Sequence, residues 1–145
     1  MPMRDLEEVI DAVRQANRKF YQAFEALSIE EMEQIWAAED HAKCVHPNWD
    51  VVIGWNAIRQ SWLDIFRGTD YMKFALEHLQ IDVYGNIATV VLVENLLSSV
   101  EGRVSESSIL ATNIYELRGN EWLLILHHAS PAPVEVTQSF NGTLQ

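Results

Sequence analysis

Apolar residues recur along the opening of the chain with the spacing of one helical face: Val9, Ile10, Val13, Ala16, Phe20, Phe24 and Leu27. This pattern predicts a long amphipathic helix starting near Leu6. The charges agree, since Glu7, Glu8 and Asp11 lie early and Arg14, Arg18 and Lys19 late, the distribution a helix dipole favours. Ser28 and Glu31 form a capping box that opens a second helix through Met32, Ile35 and Trp36. The helical pattern then breaks. Residues 43–46, ended by Pro47, and 51–53, ended by Gly54, read as two short extended pieces. Asn56 is placed to cap a third helix in which Ile58, Trp62, Ile65 and Phe66 share a face, and Gly68 is placed to end it.

Beyond residue 70 the period changes from that of a helix to that of a strand. Residues 74–84 and 87–97 flank Gly85-Asn86, residues 104–117 follow, and Gly119-Asn120 leads into 121–130. Four long strands in a meander after three helices, with no linker or repeat between them, predict a single α+β domain over 1–145. The helices should cover one face of a curved, mainly antiparallel sheet.

The hairpin turns assign the faces. With Gly85-Asn86 as a two-residue turn, Tyr84 lies opposite Ile87 and, counting outward, Glu77 lies opposite Glu94, among Leu79, Ile81, Val90 and Leu92. The same construction about Gly119-Asn120 groups Tyr115, Trp122, Leu124 and Leu126 with Asn113 and His128. It turns His127 to the opposite face with Thr112, Ile114 and Ile125. Burying a carboxylate, amide or imidazole without partners costs several kcal/mol, so Glu77, Glu94, Asn113 and His128 are expected to line a pocket. Two opposed carboxylates titrate as a pair with at least one pKa raised, which suits a general acid or base. For each residue alone a plain alternative stays open: a strand-end Glu in water, a His bonded to a carbonyl, an Asn closing a bulge.

Composition narrows the classes. Hydrophobic residues make up 48% and charged residues 21% of 145, an ordinary globular balance. The net charge of -11 argues against nucleic acid, whose binding depends on Lys and Arg neutralising phosphates. No apolar run approaches the ~20 residues of a membrane span and the first residues lack a signal-peptide core, so a cytoplasmic protein is expected, without a membrane partner. Cys44 is the single cysteine, which leaves no disulfide within the chain. None of the five histidines forms HExxH, and the adjacent His127 and His128 point to opposite faces, so no metal site is expected. Motifs for phosphate cradles and nucleophile elbows are missing from the sequence, and no cofactor is expected.

Four segments carry a resemblance. HPNWDVVIGWNAIRQSWLDIF, VVLVENLL, ILATNIYEL and EWLLILHHASP, in this order behind a long helix, resemble the SnoaL-like branch of the nuclear transport factor 2-like superfamily. The likeness runs over residues 5–133, and the final strand is also similar to that of the association domain of calcium/calmodulin-dependent kinases. Matching positions include His46, Pro47, Trp49, Gly54, Trp55, Glu94, Asn95, Asn113, His127, His128 and Ser130. The resemblance implies a cone-shaped roll: a strongly curved antiparallel sheet wrapped around the helices, a pocket at the wide end, and commonly a homodimer formed through the sheet. Superfamily relatives range from steroid isomerases, polyketide cyclases and dehydratases to ligand binders and oligomerisation modules, so fold alone does not choose among them. Of the isomerase pattern, a first-helix tyrosine and an aspartate base, only Tyr21 has a counterpart.

The expectation is therefore a small-molecule-binding protein with a largely apolar ligand. Glu94, His128 and Asn113 are the expected catalytic set for cofactor-free proton transfer, with Glu94 or His128 as base and Asn113 holding an oxyanion. Tyr21, His46, Trp49, Trp62 and Glu77 are the expected ligand contacts, although the indole of Trp62 fits a core equally well. The competing expectation is a non-catalytic dimerisation module with a vestigial pocket, which the apolar residues on both faces of the last hairpin favour.

Overall fold

Three helices precede the sheet: α1 (Leu6–Glu25), α2 (Ile29–Ile35) and α3 (Trp55–Arg67). The computed structural model describes residues 5–133, so the two ends of the domain expected over 1–145, residues 1–4 and 134–145, lie outside it. Local chemistry starts each helix. Asp5 accepts from the Glu7 N–H at the head of α1, and Ser28 accepts from the Glu31 N–H at 3.1 Å at the head of α2. The third helix departs from expectation: Gly54, not Asn56, is its cap, and Asn56 lies in the first turn. Gly54 has φ +87°, and a Cβ there would meet the Asp40 carbonyl oxygen at 3.4 Å, so backbone freedom rather than an amide side chain sets this entry. Gly68 ends α3 as predicted, its N–H bonding the carbonyls of Asp64 and Ile65.

The strands are β1 (Lys43–Val45), β2 (Val52–Ile53), β3 (Tyr71–Tyr84), β4 (Ile87–Val100), β5 (Arg103–Arg118) and β6 (Glu121–Pro131). They form one sheet in the order β2-β1-β6-β5-β4-β3, in which β1 runs parallel to β6 and all other pairs are antiparallel. The parallel pairing sets Cys44 beside His127. Cys44 is fully buried, and burial pushes its thiol well above the ordinary value, as befits a packing residue.

Two bulges bend this sheet and reset its faces. Between Glu77↔Val93 and Gln80↔Val91, His78 and Leu79 oppose the single residue Leu92, and His78 takes φ +58°. Near the turn the pairing is as predicted, but beyond the bulge Glu94 faces Leu76 and Glu77 faces Val93. In the last hairpin, Ile114 pairs with Leu126 and Tyr115 with Leu124, which leaves Ile125 as the extra residue. One residue of slip reverses every side chain beyond it. Glu77 and His128 consequently lie exposed on the outer face, and His127 points inward.

The inward face packs on α1 and α3 through an aromatic cluster. Phe24 meets Trp62 and Phe74 edge-on with ring centroids 4.7 and 4.6 Å apart, and Phe20 meets Trp62 at 5.9 Å. Each such pair contributes roughly 0.5–1.5 kcal/mol beyond its area burial. Trp62 is thus a core residue, wedged by rings that also fix the neighbouring polar groups.

Candidate functional site

Helix α1 carries two polar residues on its buried stripe, Asn17 and Tyr21, one turn apart between Val13 and Phe24. The sheet meets them with Glu94 of β4, Asn113 and Tyr115 of β5 and His127 of β6, all but excluded from solvent. These six side chains form one hydrogen-bonded network. Tyr21 Oη donates to Glu94 Oε2. The Asn113 amide donates to Asn17 Oδ1 at 2.9 Å and to Tyr21 Oη at 3.2 Å, and Tyr115 Oη donates to Asn17 Oδ1 at 2.8 Å. Asn113 Oδ1 lies 2.6 Å from His127 Nδ1. An amide oxygen only accepts, so His127 holds its proton on Nδ1 and presents a lone pair at Nε2.

His46, just past β1, is held separately. Ser61 Oγ donates to the Ile58 carbonyl at 2.6 Å, so it accepts from His46 Nε2 at 2.9 Å. Trp49 and Trp62 stand edge-on to the imidazole at 4.8 and 4.7 Å.

A cavity of about 140 Å³ lies between these groups. Its walls are apolar, with Phe24, Ile65, Met72, Leu96, Ile109 and Ala129. Glu94, His127 and His46 are its polar groups, and Pro47 and Trp49 also line it, with Trp49 44% exposed. A larger groove of about 560 Å³ opens among β3, β4 and β5, past Lys73, Asn95, Glu106 and Ser108. It reaches none of the buried network, so the smaller cavity is the candidate site.

The electrostatics follow from burial. Glu94 is pushed up to about 7 by desolvation, against the pull of the Tyr21 hydrogen bond. Tyr21 is raised well above its ordinary value by burial, and further by the Glu94 charge beside it. Burial lowers His46 to about 4, and burial with repulsion from His46 and His128 lowers His127 to about 3. At neutral pH the cavity therefore holds two uncharged imidazoles and a carboxyl poised between its two states. Among the described residues, no group of three or more His, Cys, Asp or Glu is placed to hold a metal ion.

The predicted residues divide accordingly. Tyr21, Glu94 and Asn113 come together, and His46 and Trp49 lie at the same cavity. Glu77 does not: it sits outside, accepting from the Asn95 amide at 2.7 Å, and makes no carboxylate pair with Glu94. His128 is exposed, so the inward histidine is His127. Asn113 has both amide hydrogens committed within the protein, which leaves none for an oxyanion. Asn17, Tyr115 and Ser61 are partners that the sequence reading does not single out. Asn17 is within its reach, since it lies one turn before Tyr21 on the helical stripe.

Three helices packed on a six-stranded, mainly antiparallel sheet match the cone fold of the nuclear transport factor 2-like class. Within it the chain belongs to the SnoaL-like domain family, whose pattern matches residues 13–135. A Streptomyces avermitilis protein of the NTF2-like family, named as a candidate dehydratase, is 30% identical with a TM-score of 0.84, over 90% of this chain and all of that one. A candidate calcium/calmodulin-dependent protein kinase type II association domain from Thiobacillus denitrificans is also 30% identical, with a TM-score of 0.73 over 81% of this chain and 93% of its own. The F-box protein SKIP8 of Arabidopsis thaliana is 24% identical over 119 residues, 82% of this chain. The chain spans about half the length of that relative, 49%. No helix among the described residues is long and apolar enough to cross a membrane.

Proposed function

We propose that the protein binds a small organic molecule in the 140 Å³ cavity and moves a proton on it, with Glu94 as the proton-transfer group. The observation that carries this reading is a buried carboxyl at the cavity wall with a pKa of about 7, held through one oxygen by Tyr21. A group titrating near the working pH balances availability against strength as a base, which is why such carboxyls suit isomerisation and dehydration. Glu94 takes a proton next to a carbonyl and returns it one or two atoms away, and Tyr21 steadies the carboxyl as its charge changes. Asn113 positions Tyr21 and His127 rather than touching the ligand. The name of the Streptomyces relative favours the dehydratase form of this chemistry.

The test is proton exchange. A panel of small β,γ-unsaturated ketones and β-hydroxy ketones is incubated with the protein in D2O, and loss of the acidic C–H signal is followed by NMR. The parent is expected to speed exchange of at least one compound, with a rate rising through pH 7, and Glu94→Gln to lose about 100-fold or more. Equal rates for parent and variant across the panel would remove the catalytic reading.

A second reading rests on the outer face of the sheet, where Tyr71, Leu97, Val104 and Leu110 leave apolar surface in water. It favours a homodimer formed through the sheet, alongside or instead of catalysis, and the likeness to a kinase association domain supports it. Leu110→Glu places a charge on this face. By sedimentation the parent is expected to run as a dimer and the variant as a monomer; a monomeric parent would end this reading.

A further inference from the structure

The size, charge and hydrogen-bonding capacity of the cavity bear on what enters it. Its volume of about 140 Å³ is close to the roughly 150 Å³ of an engineered cavity that takes up benzene. The walls cannot retreat cheaply: Phe24 is braced edge-on by Trp62 and Phe74, and Trp62 is fully buried. The rim gives most easily, at the half-exposed Trp49 and the partly buried Pro47. A fused-ring skeleton therefore does not fit.

Charge is restricted as well. Among the described residues no Lys or Arg lines the cavity, and both imidazoles there are neutral at pH 7, so an entering carboxylate would lose its hydration and meet only Glu94. Hydrogen bonding narrows the class further. Glu94 is engaged through Oε2, and among the described residues Oε1 has no hydrogen-bond partner. His127 is engaged through Nδ1, which leaves Nε2 as a pure acceptor. A carbonyl cannot satisfy an acceptor, and an ammonium cannot accept from Glu94 when that group is protonated. A hydroxyl donates its one proton to the imidazole and accepts with its lone pairs from Glu94 in the protonated state.

We infer that the ligand is an uncharged, hydroxylated molecule no larger than one substituted six-membered ring, its O–H donating to His127 Nε2 and its oxygen facing Glu94 Oε1. The inference rests on the reading of the cavity as a ligand site, and it adds the class of ligand. A β-hydroxy carbonyl compound of this size meets both, since its hydroxyl is the recognised group and its acidic C–H the reacting one.

The experiment uses five small probes and the ε-methyl of Met72, which lines the cavity, as an NMR reporter. Cyclohexanol is expected to shift this resonance with a Kd at least about fivefold below that of cyclohexanone, the gain of one satisfied hydrogen bond. Cyclohexanecarboxylate, cyclohexylammonium and 2-decalol are expected to leave it unmoved at equal concentrations. His127→Phe is expected to bind cyclohexanol and cyclohexanone alike, while Glu94→Gln keeps the preference. If the carboxylate, the ammonium or 2-decalol binds as tightly as cyclohexanol, or the preference survives in His127→Phe, the inference is overturned while the ligand site stands. If none of the five moves the resonance, the ligand site itself falls and this inference with it.

Discussion

Glu94→Gln is expected to gain stability on the parent as pH rises, by about 3 kcal/mol between pH 4.5 and 8. The folded carboxyl titrates at about 7 against an ordinary value of 4.5, with burial as the main cause. Between those two values the folded chain holds a proton that the unfolded chain has released, so stability falls as pH rises through that window. At about 1.4 kcal/mol per pH unit the whole effect is about 3 kcal/mol. The two buried histidines work in the opposite sense. With folded values of about 4 and 3, they cost stability as pH drops below 6.5, where the unfolded chain protonates them and the folded chain does not. Their contribution is common to both proteins and cancels in the difference. The glutamine side chain of the variant keeps an oxygen for the Tyr21 hydroxyl but brings an amide toward an apolar wall, so the variant should be the less stable below pH 5 and the more stable above pH 7. Urea unfolding at pH 5, 6, 7 and 8 reads this crossing. A difference between the two proteins that does not change with pH would mean that Glu94 titrates as an ordinary surface carboxyl, and its role as a base near neutrality would go with it.

The elements were legible because each carries its own local signal. The capping box at Ser28, the stop at Gly68 and the two Gly-Asn turns all lie where the sequence puts them. The α+β class follows from those signals, since three helices with apolar stripes must cover one face of a meander, whereas the cone came from the family resemblance. The faces of β4 and β5 were legible too: the extra residues lie in β3 and β6, so Asn113 and Glu94 point inward as read. What failed was register far from a turn. Residues 122–127 run Trp-Leu-Leu-Ile-Leu-His with no polar alternation, and residues 90–93 are similarly apolar, so either face of these strands could have been the buried one. The bulges that decide the matter answer to the packing of a bent sheet around α1 and α3, which no local spacing records. Both errors have this one origin. The slip of a residue in β3 removed Glu77 from the site, and the slip in β6 exchanged His128 for His127.

The exchange of histidines is what gives Asn113 its importance, and Asn113→Leu is expected to destabilise the fold by about 4 kcal/mol, the sum of the losses at its partners. Asn113 is fully buried and joins three partners: Asn17, Tyr21 and His127. Leucine has nearly the same shape and makes none of these bonds. Asn17 keeps its bond from Tyr115, and Tyr21 keeps Glu94, so those two lose about 1 kcal/mol each. The His127 N–H is left buried without an acceptor, which costs about 1–3 kcal/mol more. The imidazole can escape that cost only by moving its proton to Nε2, and there it becomes a donor toward the cavity instead of an acceptor. Nitrogen-15 spectra of the histidines distinguish the two forms: the parent is expected to show His127 protonated at Nδ1, and the variant a loss of that form. Asn113→Asp retains an acceptor for Nδ1 and adds a negative charge, so it should preserve the tautomer while raising the His127 pKa. An Asn113→Leu protein within about 1 kcal/mol of the parent, with the His127 nitrogen shifts unchanged, would show that the ring is oriented by its aromatic neighbours Phe20 and Trp62 rather than by the amide.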